Sequence, residues 1–332
     1  MSGPATSVTR VITPSPARAA TGMCFDRTFP PPLVVEMARR LEEGGADQLW
    51  IIEDCFFTGG ISLAASALAV TERLQVGLGI LPAVARNPAI TAMEVATLCG
   101  LAPGRVLPGI GHGVQSWMGQ MGARTASPLT TLEEVITVVT RLLAGERVTF
   151  DGREVHLDDV ALDQPPADPP PVLAGVMGPK SLALAGRVAG GVVLAEPAAP
   201  SYVRQALDQA GHPNPFHVAV FAPLCVTAHR EDAHEIMAPW VAERLDDPTP
   251  GLRALPFLDD LVGLHREHGI AGVRDMPADW WAEIGPIGTL DDAAAHLAAL
   301  EAAGVHSVGL FPAPEVDVAR SQVDDVLALA RR

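Results

Sequence analysis

Short apolar stretches alternate with longer amphipathic segments along most of the 332-residue chain. Runs of about four to eight apolar residues are typical of buried strands, whereas apolar residues three and four positions apart are typical of helices. The pattern therefore predicts eight strands that alternate with helices. The predicted strands are residues 8–13, 48–53, 74–81, 105–110, 172–174, 191–195, 217–226 and 307–312.

Amphipathic segments fill the intervals between these strands. In residues 32–41, Leu33, Val34 and Met37 share one helical face, and Gly44-Gly45 ends the segment. Another helix begins at Thr289-Leu-Asp-Asp292, which resembles a capping box with aspartate in place of glutamate. The other predicted helices are residues 60–72, 88–101, 129–144, 230–245, 256–268 and 318–330.

The alternation is interrupted after residue 145. Two short apolar stretches, 148–150 and 155–157, flank Asp151-Gly152, a dipeptide favoured in hairpin turns. The proline-rich residues 163–171 follow and predict a stiff, extended connector. We interpret residues 146–158 as a hairpin insertion and the connector as a crossing within a single domain that spans residues 1–332.

Eight strands followed by helical segments predict an α/β fold, a (β/α)8 TIM barrel with the small hairpin insertion and a long excursion between strands seven and eight. An open, doubly wound sheet is the alternative. We favour the barrel because glycine-bearing turns follow many strands and no single crevice stands out. In a barrel these turns converge on one face.

Composition narrows the classes of protein that this chain can belong to. Hydrophobic residues make up 48% of it and charged residues 19%, which is typical of a globular protein. The formal net charge of −16 repels phosphate backbones and anionic lipids. We therefore expect neither a nucleic-acid partner nor a membrane partner, and we expect an anionic cofactor to be held by local donors.

The four cysteines, Cys24, Cys55, Cys99 and Cys225, form no C-x-x-C pair. Neither a metal site nor a redox motif is predicted, and reduced thiols fit a cytoplasmic protein. The chain also lacks a signal-peptide-like apolar block near its start and any uninterrupted apolar stretch of about 18 residues. A cytoplasmic location is therefore the expectation.

The turn after the fifth strand is the most informative stretch for function. Gly178-Pro179-Lys180-Ser181 follows an apolar strand and opens a helix. The first amides of a helix have no partner within it and lie at the positive end of its dipole, which favours phosphate. Lys180 can add a charge and Ser181 a hydroxyl. This stretch predicts a phosphate-bearing cofactor, although an ordinary strand-to-helix turn is the alternative.

Other strand ends contribute further candidates. Asp54 follows strand two and could accept a hydrogen bond from a cofactor ring, steer a proton, or only cap its turn. His112 follows strand four within Gly109-Ile-Gly111-His112-Gly113, where glycines would let the backbone approach a flat ligand, and it could equally be a solvent-facing loop residue. No nucleophile elbow, Walker loop or zinc motif is present in the sequence. The reactive atom is therefore expected to belong to a cofactor.

The chain resembles the bacterial luciferase-like flavin and deazaflavin oxidoreductases over nearly its whole length. The subgroup that it most resembles uses coenzyme F420, a deazaflavin, whereas other members use FMN, often supplied reduced by a partner flavin reductase. The motifs that carry the resemblance are Gly77-Leu-Gly-Ile-Leu-Pro82, Arg86-Asn87-Pro88, Met93-Glu94-x-Ala96-Thr97-Leu98, Pro103-Gly104-Arg105, Gly109-Ile-Gly-His-Gly113 and Gly178-Pro179-Lys180.

The resemblance implies a TIM barrel, frequent homodimers and a cofactor site at the strand ends. It places a non-proline cis peptide behind the cofactor ring, here at Gly79-Ile80, and the phosphate at Met177-Gly178. The cofactor-binding residues that we predict are Asp54, Gly79, Ile80, Gly111, His112, Gly113, Gly175, Met177, Gly178, Pro179, Lys180 and Ser181. Residues on the same loops are the candidates for a substrate pocket: Cys55, Phe56, Phe57, Trp117 and Met118.

The chain departs from the sugar-phosphate dehydrogenases of this family at two positions. Those enzymes carry an Asp-His pair after strand two and a glutamate after the strand-four glycines, where this chain has Asp54-Cys55 and Val114. Their activity is therefore not carried over. His112 is the nearest titratable replacement, and its ordinary pKa suits proton transfer at neutral pH. His112 and Asp54 are the catalytic candidates.

The prediction is an oxidoreductase that moves hydride between C5 of F420 and a small organic substrate. One alternative is an FMN-dependent monooxygenase of the same fold, which uses reduced flavin and oxygen. An alternative of another class is a non-catalytic barrel that serves as a binding partner, which the two missing acid/base groups favour.

Overall fold

The structure, a computed structural model, describes residues 18–197 and 199–332. Eight of its strands are parallel and hydrogen-bond side by side around a closed barrel. The strands in chain order are β1 (Ala20–Phe25), β2 (Gln48–Ile51), β3 (Gln75–Pro82), β4 (Val106–Gly111), β5 (Val148–Asp151), β6 (His156–Val160), β7 (Leu173–Gly175), β8 (Gly191–Leu194), β9 (His217–Pro223), β10 (Cys225–Val226), β11 (Ile287–Gly288) and β12 (Ser307–Phe311). The order around the barrel is β1-β12-β9-β8-β7-β4-β3-β2, so β5, β6, β10 and β11 lie outside it.

Helices surround the barrel on its outer side. They are α1 (Leu33–Gly44), α2 (Gly60–Ala69), α3 (Pro88–Leu101), α4 (Gln115–Gln120), α5 (Pro128–Leu143), α6 (Pro179–Val188), α7 (Pro200–Ala210), α8 (Arg230–Glu243), α9 (Pro250–Arg253), α10 (Leu258–Arg274), α11 (Ala278–Ile284), α12 (Leu290–Ala302) and α13 (Val316–Ala330). Local chemistry sets several of their ends. Gly45 ends α1 in the left-handed region with φ 89°, and the predicted capping box of Thr289 and Asp292 begins α12.

The (β/α)8 prediction is confirmed, and the open-sheet alternative is wrong because β1 pairs with both β2 and β12. The first predicted strand, residues 8–13, lies outside the described residues, and the strand that fills its place is β1. The seventh predicted strand is in fact two strands. β9 stays in the barrel, whereas β10 leaves it to pair with β11 at the end of the helical excursion.

The predicted hairpin is present, but its turn differs from the expected one. β5 and β6 pair antiparallel with Asp151 opposite His156, so Asp151-Gly152 does not form a two-residue turn. The carboxylate of Glu134, on α5, instead accepts hydrogen bonds from the amides of Arg153, Glu154 and Val155 at 2.7, 2.9 and 2.8 Å. A side chain from a distant helix therefore fixes this loop.

Two apolar layers hold the barrel together. The larger one packs the helices against the outside of the strands. The smaller one fills the barrel interior and consists of Cys24, Trp50, Ile52, Leu107, Leu173, Val193, Ala219 and Phe221. Because the interior is packed with side chains, the barrel encloses a core and not a pore. None of the helices in the described ranges is long and apolar enough to cross a membrane.

A polar network closes the amino end of the barrel, beneath the interior apolar layer. Gln48 donates to Ser307 Oγ at 2.9 Å and accepts from Trp50 Nε1 at 2.9 Å. His217 Nε2 lies 2.9 Å from the same serine oxygen. Because Ser307 already accepts from Gln48, its hydroxyl proton can point to His217, which then accepts as a neutral ring.

From this network we expect the free energy of unfolding to fall as the pH is lowered from about 6.5 to about 4. Burial, followed by the neighbouring His306, lowers the pKa of His217 from 6.5 to about 4. Between these values the unfolded chain binds a proton that the folded protein excludes, so stability is complete above the unfolded pKa and falls as the pH is lowered. The expected loss is about 3 kcal/mol, because each pKa unit is worth about 1.4 kcal/mol.

Urea unfolding across this pH range measures the effect. Carboxylates titrate at the lower end of the range, so the comparison is made with His217→Gln, in which this contribution is absent. His156→Gln, a change at an exposed histidine, is the matched control and should behave as wild type. Equal pH slopes for wild type and His217→Gln would contradict the assignment.

Candidate active site

A cavity of about 380 Å³ lies at the carboxyl end of the barrel, among the loops that follow β2, β3, β4, β7 and β8. Active sites of TIM barrels lie at this end. The cavity brings together ten of the predicted site residues: Asp54, Cys55, Gly79, Ile80, His112, Gly113, Trp117, Met118, Gly175 and Met177. Residues that are far apart in sequence therefore meet in one place, and their individual roles stay predictions.

The remaining predicted residues lie around this cavity. Gly111 is buried beneath it, and residues 178–181 form the start of α6 beside Met177. Phe56 and Phe57 do not line the cavity but lie on its rim, with 64% and 51% of their surface exposed. Their predicted place in a substrate pocket would require a ligand that extends out of the cavity.

The floor of the cavity is built around Ile80. The Gly79-Ile80 peptide is cis, and the Ile80 side chain lies across the ends of β4 and β7. A Cβ atom on Gly111 would overlap Ile80 Cδ1, and one on Gly175 would lie 2.6 Å from Ile80 Cγ2. These two glycines make room for the isoleucine. This corrects the interpretation that glycines let the β4 backbone itself approach a flat ligand, because Ile80 stands in between.

The packing of the barrel interior explains why residue 79 is a glycine. A Cβ atom at this position would lie 2.6 Å from the ring of Phe221. That ring packs edge-on against Trp50 and Phe311, with centroid distances of 5.3 and 5.6 Å. An aromatic layer therefore supports the floor from below.

His112 faces the cavity from the loop after β4. Its Nδ1 lies 3.2 Å from the carbonyl oxygen of Pro128, which can only accept, so Nδ1 carries the proton and Nε2 has a free lone pair. Burial lowers the pKa of His112, and the hydrogen bond to Pro128 opposes this only in part. Near neutral pH the ring is therefore uncharged and acts as an acceptor at Nε2.

Asp54 belongs to a cluster on the rim of the cavity. Its Oδ2 accepts from Arg27 Nη1 at 2.7 Å. The Arg27 guanidinium lies over the rings of Phe57 and Trp117, 5.0 and 5.9 Å from their centroids. The ion pair holds Asp54 against Arg27. In this structure Asp54 therefore helps to fix the side chains at the edge of the cavity. Cys55, next in sequence, has its pKa raised by burial and by adjacent carboxylates, so it stays a thiol.

Two of the resemblance motifs meet in an ion-pair cluster behind the cavity. Arg86 donates from Nε and Nη2 to both carboxylate oxygens of Glu53, each at 3.0 Å, and from Nη1 to Glu94 at 2.6 Å. Glu53 also accepts from the amide of Gly60 at 2.6 Å, at the start of α2. The cluster connects the loops after β2 and β3 with α2 and α3. Sequence reasoning did not assign Arg86 or Glu53 a role.

The start of α6 carries unpaired backbone donors. Its cap residue is Gly178, which has no side chain to accept from the first turn, and Pro179 contributes no N–H group. Within the described ranges, the amides of Lys180 and Ser181 have no acceptor in a turn or loop. The Ser181 hydroxyl, however, donates to the Gly178 carbonyl at 2.9 Å, so its one proton is already used. The backbone amides and the exposed Lys180 are thus the free donors at this helix start, and their role in phosphate binding stays a prediction.

Lys180 has a property that sequence reasoning overlooked: it is the only lysine in the 332-residue chain. The other 22 of the 23 basic residues are arginines. The composition alone therefore distinguishes position 180 from every other basic position in the chain.

Sequence reasoning also missed Glu196 as a site residue. It follows β8 after Ala195, and both residues line the cavity. Glu196 is half-buried, and burial raises the pKa of its carboxyl group. The signal that could have found it is its place at a strand end, which it shares with Asp54 and His112.

Comparison with known proteins agrees with this geometry. The sequence matches the profile of the luciferase-like monooxygenases over residues 10–307. It is 32% identical over 200 residues to a 5,10-methylenetetrahydromethanopterin reductase of Methanolobus tindarius, a match that covers 60% of this chain and 56% of that protein. It is 30% identical over 202 residues to an F420-dependent glucose-6-phosphate dehydrogenase of Nakamurella multipartita, covering 57% of this chain and 59% of that protein. The chain thus matches less than two thirds of the length of either relative.

The barrel is also similar to a solved structure. The coenzyme F420-dependent tetrahydromethanopterin reductase of Methanopyrus kandleri superposes with a TM-score of 0.76 over 95% of this chain and 98% of that chain. The two sequences are 19% identical over this match. At that identity the similarity shows the fold.

Proposed function

The chain belongs to the luciferase-like monooxygenase family, and from this membership we propose that it is a deazaflavin-dependent oxidoreductase. It would transfer hydride between C5 of coenzyme F420 and a small organic substrate. The observation that carries the proposal is an apolar cavity floor next to a helix start with unpaired amides. The relative from Nakamurella multipartita, which is named as an F420-dependent enzyme and is 30% identical over 202 residues, supports the choice of cofactor. The enzymes among its relatives also argue against the non-catalytic alternative.

The residues of the cavity fit a planar ring with a phosphate-bearing tail. Ile80 would support one face of the ring, and Gly175, whose missing side chain makes room for Ile80, borders the cavity beside it. The amides at the start of α6, together with Lys180, would hold the phosphate. Bound there, the cofactor would supply hydride at C5. The side chains of the cavity would exclude water and hold protons.

The charges around the cavity favour a neutral substrate. Of the described residues that line it, none is lysine or arginine, whereas Glu53, Asp54 and Glu196 are acidic. An anionic sugar phosphate would find no cationic partner on this wall. We therefore propose a small carbonyl or imine compound as the substrate rather than glucose 6-phosphate.

Reduced FMN with oxygen is the alternative that the family description favours. FMN shares the tricyclic plan and the phosphate-bearing tail, so the same residues could hold it. Deazaflavin has carbon where flavin has its oxygen-reactive nitrogen, so it transfers hydride and reacts poorly with oxygen. Titration with both cofactors, with oxygen uptake measured alongside, separates these proposals. A partner flavin reductase and a homodimer stay predictions.

Replacing Lys180 by glutamine is expected to weaken F420 binding about three- to tenfold, because one charged contact to the phosphate is lost at an exposed position. Lys180→Arg should retain most of the affinity. Arg187→Gln, a change farther along α6 that removes an exposed arginine paired with Glu133, is the matched control. Fluorescence titration measures all four proteins, and inorganic phosphate should compete.

The single lysine allows a direct observation of the same contact. Reductive methylation with ¹³C-formaldehyde labels one side chain besides the terminal amine, so its NMR signal is assignable by comparison with Lys180→Arg. The signal should shift when F420 is added. A cofactor that binds while this signal stays in place would show that its tail lies elsewhere.

A further inference from the structure

Glu196 differs from the other titratable groups that line the cavity. These groups are Glu53, Asp54, Cys55, His112 and Glu196. Glu53 is paired with Arg86, and Asp54 is paired with Arg27. Within the part of the chain that the structure describes, Glu196 makes no such ion pair. It is therefore a carboxyl group that faces the cavity without a cationic partner in contact.

The charges around Glu196 come from three sides. Arg244, on α8, attracts the carboxylate from a distance, but its guanidinium stacks 3.9 Å from the Trp240 ring and donates to the Trp240 carbonyl. Asp54 and Asp26, after β2 and β1, repel the charged form. Burial is the largest effect and raises the pKa of Glu196, with Arg244 opposing it. The buried thiol of Cys24 also has its pKa raised, first by burial and then by Glu196.

Glu196 and His112 are thus shifted in opposite directions within one cavity. The carboxyl group tends to keep its proton, and the imidazole tends to stay without one. Two groups whose environments separate them in this way are typical of an acid and a base that serve one reaction. Cys55, a half-buried thiol with a raised pKa, is a poorer proton donor than a carboxyl group at neutral pH.

We propose that Glu196 is the catalytic acid of this enzyme, which donates to the substrate the proton that accompanies hydride transfer. The proposal rests on the proposed function, because the hydride donor is a reduced deazaflavin. When the substrate carbon accepts hydride, the π electron pair of its C=O or C=N bond moves to the heteroatom. That atom takes the proton from the Glu196 carboxyl group, which is left as a carboxylate and regains a proton from solvent. In the oxidative direction the carboxylate accepts the proton.

Infrared spectroscopy of the protein without any cofactor tests whether the Glu196 carboxyl group keeps its proton. A protonated carboxyl group has a carbonyl stretch that is separate from those of carboxylates. In a pH titration the band of Glu196, taken as wild type minus Glu196→Gln, should persist above the ordinary range of a glutamate, about 4.3. Glu243→Gln, which removes an exposed carboxylate beside Arg244, is the control and should leave this difference band unchanged. A difference band that disappears in the ordinary range of a glutamate, or that is absent at every pH, overturns the proposal.

Kinetics with reduced F420 and a panel of neutral ketones, aldehydes and imines test whether Glu196 donates the proton that accompanies hydride transfer. Glu196→Gln should lower kcat about 100-fold or more, the range for a lost general acid, with F420 affinity within about twofold of wild type. Glu196→Asp should recover part of the rate. In wild type the rate of reduction should fall at high pH as Glu196 loses its proton, and this limb should be missing in Glu196→Gln.

The outcomes separate this proposal from the proposed function. If wild type reduces a member of the panel and Glu196→Gln does so at the same rate and with the same pH profile, the acid is another group and the hydride-transfer function stands. If wild type binds F420 but reduces no member of the panel, the proposed function fails and the catalytic role of Glu196 fails with it.

Discussion

Gly111→Ala is expected to abolish measurable F420 binding, with a loss of about 100-fold or more in affinity. The new methyl group would overlap Ile80 Cδ1 and lie 2.8 Å from the Gly175 carbonyl oxygen. The backbone of β7 cannot move without breaking its pairing with β4 and β8, so the isoleucine must give way. The Ile80 side chain can then move only into the cavity, where the cofactor ring is proposed to lie. Overpacking of this kind also costs about 1–3 kcal/mol of stability.

A second substitution, at Ile80, tests whether displacement of the isoleucine causes the loss of F420 binding. Ile80→Val removes the overlapping methyl, so Gly111→Ala/Ile80→Val should regain part of the lost affinity; the Gly175 carbonyl limits the recovery. Gly263→Ala is the matched control, because nothing lies within 4 Å of a Cβ atom at that helical position. It should bind F420 as wild type does. Normal binding by Gly111→Ala would contradict the place given to Ile80.

Arg86→Met is expected to lower the free energy of unfolding by about 3–5 kcal/mol, the usual cost of removing one partner of a buried ion pair. The Glu53 side chain is 10% exposed and would lose two hydrogen bonds, keeping only the one from the Gly60 amide. Glu94 is 30% exposed and can turn to water. Most of the cost therefore arises at Glu53.

Urea denaturation measures this cost, with two further variants as references. Glu94→Gln removes only the more exposed partner and should cost much less than Arg86→Met. Arg86→Met/Glu53→Gln removes the stranded charge and should recover part of the stability. A loss of less than about 1 kcal/mol in Arg86→Met would mean that the cluster is hydrated and contributes little.

Local patterns in the sequence were sufficient for most of the barrel. Apolar runs and helix caps depend on neighbouring residues, and they predicted the later barrel strands and most of the helices between them, although α7 was missed. β1 was missed because Thr21 and Gly22 interrupt its apolar run, and residues 8–13 were predicted to be the first strand instead. The hairpin turn was misjudged because Glu134, on another element, decides its conformation.

The site was predictable where glycine and strand ends gave a signal. His112, Ile80 and Met177 meet around one cavity because all three lie at or just after the carboxyl ends of barrel strands. The use of Gly111 and Gly175 as a seat for Ile80 was not predictable, since it depends on contacts between separate strands. Glu196 could not be selected either, because a lone glutamate gains meaning only from its burial without a cationic partner.

The position of the cavity-lining groups has an evolutionary consequence. Ile80 packs against glycines of the barrel strands, where a larger residue would disturb the barrel, whereas Phe56 and Phe57 lie on a loop with more than half of their surface exposed. Mutations in that loop can therefore accumulate and be selected while the strands stay as they are. Descendants of one ancestral barrel could diverge in what they reduce and still inherit the same redox step.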